Sequence, residues 1–329
     1  MSIRTGLIRL PAWLTTGVGV LLTTGIAVLA VGLVTIPRWF ETVRPDTLRG
    51  SQMIAGQAAR TWRRAAAIVA DAKVAAGLLE ATDAARRDAL LGGELTPLVT
   101  TIGTLEAKRL TLSPRWAELM ASELAGKGVG PGDVVAASFS GSFPALNLAV
   151  MAACDALGAR LIAVSSVTAS SFGATDPGFT WPELEARLVG AGVVRAASVA
   201  VSPGGTDDRA LDLDADGQRL ARTIAERAAG SLGAELLLPA SVDEAVQARL
   251  RIYERHRDGR PIAVFINVGG THASLGASTA ILKVASGWLP PGPFDSSPGR
   301  GIVARMVEQG VPVLHLRNVR DLAVRWGVL

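Results

Sequence analysis

The sequence is poor in the residues that make cross-links and metal centres. In 329 residues it has one cysteine, Cys154, and three histidines, His256, His272 and His315. One cysteine excludes a disulfide within the chain and any site held by several thiolates. Three scattered histidines do not form a multi-histidine motif. No metal site is therefore predicted, and no motif identifies a cofactor.

Lysine is scarce as well, so nearly all of the 33 basic residues are arginines. The lysines are Lys73, Lys108, Lys127 and Lys283. Aromatic residues make up only 5%, and the formal net charge is +4. A nucleic-acid surface needs clustered basic residues with exposed aromatic rings. Only Arg60, Arg63 and Arg64 form a tight basic group, so nucleic acid is not an expected partner.

One long stretch, residues 12–36, has no charged residue. At ~1.5 Å per helical residue it is long enough for a hydrocarbon core of about 30 Å. Trp13 and Trp39 stand where interfacial aromatic rings settle. A cleaved signal peptide would have a shorter apolar region and a small-residue cleavage site. We therefore predict an uncleaved anchor over residues 1–40 that crosses the cell membrane once.

Similar numbers of arginines flank this stretch on its two sides. The positive-inside rule therefore gives little information on its orientation in the membrane. The globular part is expected outside the cytoplasm. Residues 41–95 are predicted to form a helical juxtamembrane segment that ends at Gly92-Gly93. Its apolar residues recur at helical spacing and should pack on the following domain or along the membrane surface. They are Ile54, Ala58, Trp62, Ala65 and Val69.

Residues 96–329 alternate short β-branched runs with helical ones, the pattern of βαβ units. Strands are predicted near residues 98–102, 134–137, 160–164, 196–201, 235–238, 263–267 and 311–316. Helices are predicted near residues 114–126, 144–157, 181–188, 216–229, 242–256 and 301–309. The predicted fold is a Rossmann-like three-layer α/β domain with a largely parallel sheet. Residues 134–154 and 262–282 are uncharged, but glycine and hydroxyl residues in their middles favour strand–turn–helix over membrane spans.

The turn after the second predicted strand is rich in hydroxyl groups. It contains Ser138, Ser140, Gly141 and Ser142, and Pro144 suits the first turn of the next helix. Backbone N–H groups and a helix dipole at such a turn favour a bound anion. The spacing is similar to the phosphate-cradling loop of phosphosugar-binding isomerase domains. The plainer interpretation is that Ser142 caps the helix.

A glycine-rich turn follows a later strand, from Asn267 to Gly276. Gly269 and Gly270 allow the backbone geometry of an anion-binding nest. His272 stands where the first glycine of a nucleophile elbow would be, two residues before Ser274. A serine hydrolase also needs a base and an orienting acid. Its candidate catalytic residues are Ser142, His272 and Ser274, and His315 is a base only if the fold brings it near.

A third group follows the first predicted strand and consists of Glu106, Lys108 and Arg109. Together these residues could present a carboxylate and two cations to a ligand at the sheet edge. Ordinary solvated surface charge explains them equally well. Residues two apart do not face each other on a helix or a strand, so no ion pair between Glu106 and Lys108 is implied.

Several segments together resemble the poly-gamma-glutamate system protein family, which is membrane-associated. They are residues 104–109, residues 140–147, Asp176-Pro177 with residues 179–181, and residues 267–270 with 274–276. The resemblance implies an accessory role in the synthesis or export of poly-γ-glutamate. The implied partners are the lipid bilayer, other proteins of that system, and the polymer or its precursor. It supplies no catalytic residues.

The leading hypothesis is therefore an anchored accessory protein that binds γ-glutamyl carboxylates. Its proposed ligand-binding residues are those of the two turns and the charged group, including Ser274 and Asn267. Three alternatives remain open. They are a serine-dependent γ-glutamyl hydrolase or transferase, a phosphosugar-binding isomerase-like domain, and a non-catalytic scaffold whose helical segment 51–91 docks a membrane partner.

Overall fold

The computed structural model describes residues 45–277, 279–292 and 299–329. Residues from Gly50 to Leu329 form one compact unit. The predicted anchor at residues 12–36 lies outside the described residues. Across the described ranges, none of the helices combines the length and the apolar character that a membrane crossing requires.

The strands are β1 (Val99–Thr101), β2 (Val134–Phe139), β3 (Arg160–Ser166), β4 (Ala169–Ser170), β5 (Ala200–Ser202), β6 (Glu235–Leu236), β7 (Ile262–Val268), β8 (Gly287–Trp288) and β9 (Val313–Leu316). The α-helices are α1 (Pro45–Ala75), α2 (Asp83–Arg87), α3 (Leu105–Arg109), α4 (Arg115–Gly126), α5 (Pro144–Leu157), α6 (Trp181–Gly190), α7 (Ala215–Leu232), α8 (Val242–His256), α9 (His272–Leu275), α10 (Ile302–Glu308) and α11 (Val319–Arg325). Short 3₁₀ helices cover Thr206–Asp208 and Thr279–Lys283.

The main sheet has the strand order β6-β5-β3-β2-β7-β9-β8. Every neighbouring pair is parallel except β8 with β9. The predicted α/β class and the largely parallel sheet are confirmed, and β8 makes the sheet mixed. The first predicted strand does not join this sheet. It is β1, which pairs in parallel with β4 in a separate two-stranded sheet.

The chain winds through the main sheet in two directions. From β2 it adds β3, β5 and β6 on one side, and it then returns to place β7 on the other side of β2. In the β2–β7 pair, Ser138 lies opposite Asn267 and Phe139 lies opposite Val268. In open α/β sheets, ligands collect beyond the carboxyl ends of the strands where the winding reverses. The ends of β2 and β7 define that place here.

Helices cover both faces of this sheet. All six residues of β2 are buried. Val135 and Ala137 belong to the core cluster that contains residues of α4 and α5, whereas Val134 and Ala136 belong to the cluster that contains residues of α8 and α10. Alternate residues of a strand point to opposite faces, so the arrangement is compatible with three layers. The uncharged stretches 134–154 and 262–282 each begin with a central strand of this core, as strand–turn–helix units.

Helix α1 packs into the first of these clusters through the predicted stripe, since Ala58, Trp62, Ala65 and Val69 are buried. It ends at Ala75, earlier than predicted. The pair Gly92-Gly93 does not stop it. A Cβ on Gly92 would lie 2.3 Å from the backbone oxygen of Gly173, so this glycine permits a close chain crossing.

The lysine at the end of α1 fixes a loop of the α/β unit. Lys73 is buried, and its Nζ donates to the Leu91 backbone oxygen at 2.5 Å and to Asp176 Oδ2 at 3.1 Å. The other carboxylate oxygen of Asp176 accepts from the Gly93 N–H at 3.0 Å. Asp176, one of the residues that carry the family resemblance, therefore has a structural task.

A buried acid lies beside the end of β3. Glu185 of α6 is fully buried and accepts hydrogen bonds from the Ser198 N–H, the Ser198 hydroxyl and the Ser165 hydroxyl at 2.7, 3.0 and 2.9 Å. Burial raises the pKa of Glu185 to about 7, against the opposing effect of these hydrogen bonds. Across the described residues no cation pairs with it, so its charged form is disfavoured.

Replacing Glu185 with Gln should change how stability depends on pH. Because the folded-state pKa is raised, the contribution of Glu185 is fully present below its unfolded pKa of about 4.3 and is lost as pH rises to about 7. Relative to Glu185→Gln, the wild-type chain should lose on the order of 1–3 kcal/mol of unfolding free energy between pH 4.5 and 8. Urea unfolding at both pH values measures this. Equal losses in the two proteins would contradict it, and the exposed Glu226→Gln is the control.

Candidate ligand-binding site

A cleft of about 250 Å³ lies where the carboxyl ends of β2 and β7 meet. Its wall mixes polar and apolar residues and includes one carboxylate, that of Asp212. The lining includes Thr101, Ser140, Ser142, Thr206, Gly270 and His272. Both turns that the sequence singled out thus contribute to one cavity. Ligand pockets usually enclose about 300–1,000 Å³, so this cleft suits a small ligand or the end group of a larger one.

The two turns touch each other at Gly269. This glycine has φ +80°, and a Cβ on it would lie 3.0 Å from Ser140 Cβ. The Ser140 N–H donates to the Val268 backbone oxygen at 3.3 Å, which extends the β2–β7 pairing into the turns. Only a residue without a side chain fits this contact without a shift of the serine turn.

The serine turn is held by its own hydroxyl groups. Ser140 Oγ accepts from the Ser142 N–H at 3.1 Å and donates to Ser142 Oγ at 3.0 Å. Ser142 Oγ also accepts from the Ser170 N–H at 3.1 Å. The residue that caps α5 is Phe143, with no side-chain hydrogen bond to the helix. The interpretation of Ser142 as the helix cap is therefore wrong, and its hydroxyl instead ties the turn to β4.

Other predicted residues support the cleft from below and do not line it. Ser138 and Ser274 are buried, and their hydroxyls lie 2.6 Å apart. Ser274 Oγ also accepts from the Thr271 hydroxyl at 2.8 Å. Buried Asn267 donates to the Gly269 backbone oxygen at 2.8 Å, which fixes the glycine turn. Gly141 packs against β4, since a Cβ there would lie 3.2 Å from Ala169 Cβ.

The hydroxyl of Ser274 is not bonded to a histidine. His272 lines the cleft, but its Nδ1 accepts from the Asp207 N–H at 2.9 Å. His315 is buried, and its Nδ1 lies 3.0 Å from Asn267 Nδ2. Burial and then Arg317 lower the pKa of His315 to about 4. As arranged here, the cluster lacks the hydrogen-bonded nucleophile and base that a serine hydrolase at Ser274 requires.

The residues of the charged group at 106–109 lie on helix α3, which directs their side chains to different sides. Glu106 Oε2 accepts from Arg320 at 2.7 Å, and Arg109 donates to Asp88 at 2.5 and 2.9 Å, all of them partly exposed pairs outside the cleft. Lys108 points inward and is 2% exposed. The structure therefore brings one of the three to the site.

The environment of Lys108 contains no carboxylate among the described residues. Its Nζ donates to the Ser142 backbone oxygen at 2.5 Å and to Ser170 Oγ at 2.6 Å, and it lies 4.2 Å from the centre of the Phe143 ring. Burial alone lowers the pKa of Lys108 to about 7. Ser170 was not singled out from the sequence. The signal available was the unusual length of the polar segment 165–181 that contains it.

The loop after β5 closes another side of the cleft. Thr206 lines it, and the carboxylate of Asp212 accepts hydrogen bonds from both the N–H and the hydroxyl of Thr206. This loop is anchored by a buried ion pair between Asp208 and Arg249 of α8, with Ser202 bonded to both. No group of three or more His, Cys, Asp or Glu in the described ranges is placed to hold a metal ion.

Comparisons with protein-family models, with curated proteins and with solved structures give no match to this chain. Its function is therefore inferred from the geometry of the cleft.

Substituting Gly269 with Ala should destabilise the protein more than the same change at a matched glycine. Gly178 has a similar φ of +88°, but a Cβ there would meet no described atom within 4 Å. Both changes incur the positive-φ strain of about 1–2 kcal/mol. Gly269→Ala should add about 1–3 kcal/mol because it forces Ser140 aside. Thermal or urea unfolding measures the difference, and equal effects would show that the Gly269–Ser140 contact is not tight.

Proposed function

We propose that this chain is a membrane-anchored accessory protein of poly-γ-glutamate synthesis or export. In this proposal a Rossmann-like three-layer domain binds carboxylates of the γ-linked polymer or its precursor. The observation that carries the proposal is the cleft at the reversal of the winding, where the serine turn meets the glycine turn. Both turns offer hydrogen-bond donors, and a carboxylate accepts several of them at once.

Ser142 lines the cleft at the end of β2, and its hydroxyl accepts hydrogen bonds from Ser140 and Ser170, which leaves its own proton for a ligand. The hydroxyl protons of Ser140 and Thr206, which also line the cleft, are donated to Ser142 and Asp212. The glycine turn adds backbone groups, because no described residue accepts a hydrogen bond from the Gly270 N–H. Successive free N–H groups at such a turn form an anion-binding concavity.

The electrostatics of the cleft also favour an anion. Helix α5 begins directly behind the serine turn, and the positive end of its dipole faces that turn. Lys108 adds positive charge beneath Ser142 when it is protonated. The one carboxylate in the lining, Asp212, already accepts two hydrogen bonds from Thr206. Its charge is therefore partly compensated within the protein.

The resemblance and the size of the cleft both favour poly-γ-glutamate or its precursor as the ligand. Of the segments that carry the resemblance, residues 104–109, 140–147, 267–270 and 274–276 line or support this cleft. The remaining segment, Asp176-Pro177 with residues 179–181, does not line it. A cavity of about 250 Å³ suits a chain end or a precursor more than a long stretch of polymer. The uncharged stretch 12–36 supports anchoring in the cell membrane. The polymer and the other proteins of the system are the proposed partners.

Calorimetric titration of the full chain, purified in detergent, tests this proposal. Oligo-γ-glutamate should bind, and Ser140→Ala should weaken binding about ten-fold, because it removes one cleft hydroxyl and loosens the turn around Ser142. Ser231→Ala, on the exposed end of α7, is the control and should bind as the wild type does.

Three other outcomes count against the proposal. Binding of inorganic phosphate or a sugar phosphate, with none of oligo-γ-glutamate, would favour the phosphosugar alternative. Absence of any heat with all of these ligands would favour a scaffold that binds through its surface. If the wild type and Ser140→Ala bind equally well, the ligand binds outside the cleft.

A further inference from the structure

One buried lysine, Lys108, has its amine against a serine hydroxyl, that of Ser170. Lys108 Nζ is 2.6 Å from Ser170 Oγ, and the side chain is 2% exposed. In the described part of the chain no carboxylate forms an ion pair with it. A buried ammonium without a counter-ion is costly, so such a lysine readily gives up its proton.

The groups around Lys108 are consistent with a neutral amine near neutral pH. On its own helix, Glu106 and Arg109 pair outward with Arg320 and Asp88. The elements packed against it present the Ser170 hydroxyl, the Ser142 carbonyl and the Phe143 ring. The ring favours the charged form. Burial outweighs it and lowers the pKa of Lys108 to about 7, the value that suits a general base at physiological pH.

The small sheet of β1 and β4 positions the serine. Ser170 ends β4 opposite Thr101, and its N–H is bonded to Ser142, so it stands beside two residues that line the cleft. Gly103 leaves room for the pair. A Cβ on Gly103 would lie 3.2 Å from Lys108 Cε, 3.3 Å from Ser170 Oγ and 2.9 Å from the Ser171 backbone oxygen.

We propose that Ser170 and Lys108 form a serine–lysine acyl-transfer site at the edge of the cleft, with Ser170 as nucleophile and Lys108 as general base. The substrate class is a carboxylic amide or ester whose acyl group enters the cleft. That this acyl group is γ-glutamyl rests on the proposed function, whereas the acylation step does not. Serine–lysine pairs perform this chemistry without histidine.

The step balances with the groups present. Ser170 Oγ forms a bond to the carbonyl carbon while its proton passes to the neutral Nζ of Lys108. The tetrahedral oxyanion collapses, the bond to the leaving nitrogen or oxygen breaks, and the Lys108 ammonium returns the proton to that leaving group. Water then attacks the Ser170 ester, with Lys108 accepting the water proton and returning it to Ser170 Oγ. Water is the only other reactant, and no oxidant or reductant is needed.

The experiment mixes the full chain in detergent with p-nitrophenyl acetate and follows release of p-nitrophenolate. We expect a burst that matches the protein concentration, and an acetyl group located on Ser170 by peptide mass spectrometry. Ser170→Ala should lose both, whereas Ser231→Ala, at an exposed position, should retain both. The burst rate should rise with pH and level off above about 7, because the neutral form of Lys108 is the base.

Lys108→Arg places a somewhat longer, permanently protonated side chain at this position and so removes the titratable base. Provided that its circular dichroism spectrum matches that of the wild type, its burst rate should fall by at least about 100-fold, because general base catalysis usually contributes that much. If Lys108→Arg fails to fold, the wild-type pH profile and Ser170→Ala still decide.

Three results would overturn the proposal. They are an acetyl group found only on lysines or on the amino terminus, a burst that survives Ser170→Ala, and the absence of both burst and adduct in the wild-type chain. The proposed function fails separately. If Ser170→Ala still binds oligo-γ-glutamate but is not acylated, the result supports both the proposed function and the acyl-transfer site. If the wild-type chain is acylated but does not bind oligo-γ-glutamate, only the polymer is ruled out as the ligand.

Discussion

The pairing of β2 with β7 is the contact on which the rest of the structure depends. It joins segments far apart in the sequence, since Ser138 and Ser274 meet across 136 residues. Because parallel strands end at the same edge of a sheet, this one pairing places the serine turn against the glycine turn. Gly269 permits the contact, and the buried Ser138, Ser274 and Asn267 hold it from below. The cleft is a product of topology more than of either turn alone.

The sequence predicts the elements with strong local signals and misses those that tertiary contacts create. Helices α5 and α8 match their predicted bounds at both ends, since Pro144 opens the first and Ser241 caps the second. Strands β4 and β8 are two residues long, too short for any period to show. The run around Val99 does form a strand, but its partner β4 could not be identified from the sequence, so its place outside the main sheet was not predictable.

The same limit applies to the site. The composition of the two turns predicts that they bind something, and the structure places both at one cleft. Composition does not tell which hydroxyls face outward. Ser140 and Ser142 line the cleft, whereas Ser274 lies beneath it. The inward direction of Lys108 follows from the helical geometry of α3, which turns Glu106 and Arg109 away. Its contact with Ser170 is non-local and has no signal in the sequence.

Two buried groups whose pKa values are shifted to about 7, Glu185 and Lys108, also contribute to how this protein buffers protons near neutral pH. With His315 lowered to about 4 and His256 lowered as well, these two histidines contribute less than usual near pH 7. Glu185 and Lys108, both shifted to about 7, take their place. Each loses one proton as pH rises through neutrality, so the net charge falls by about two. The protein thus carries two protons that titrate near pH 7 on buried side chains.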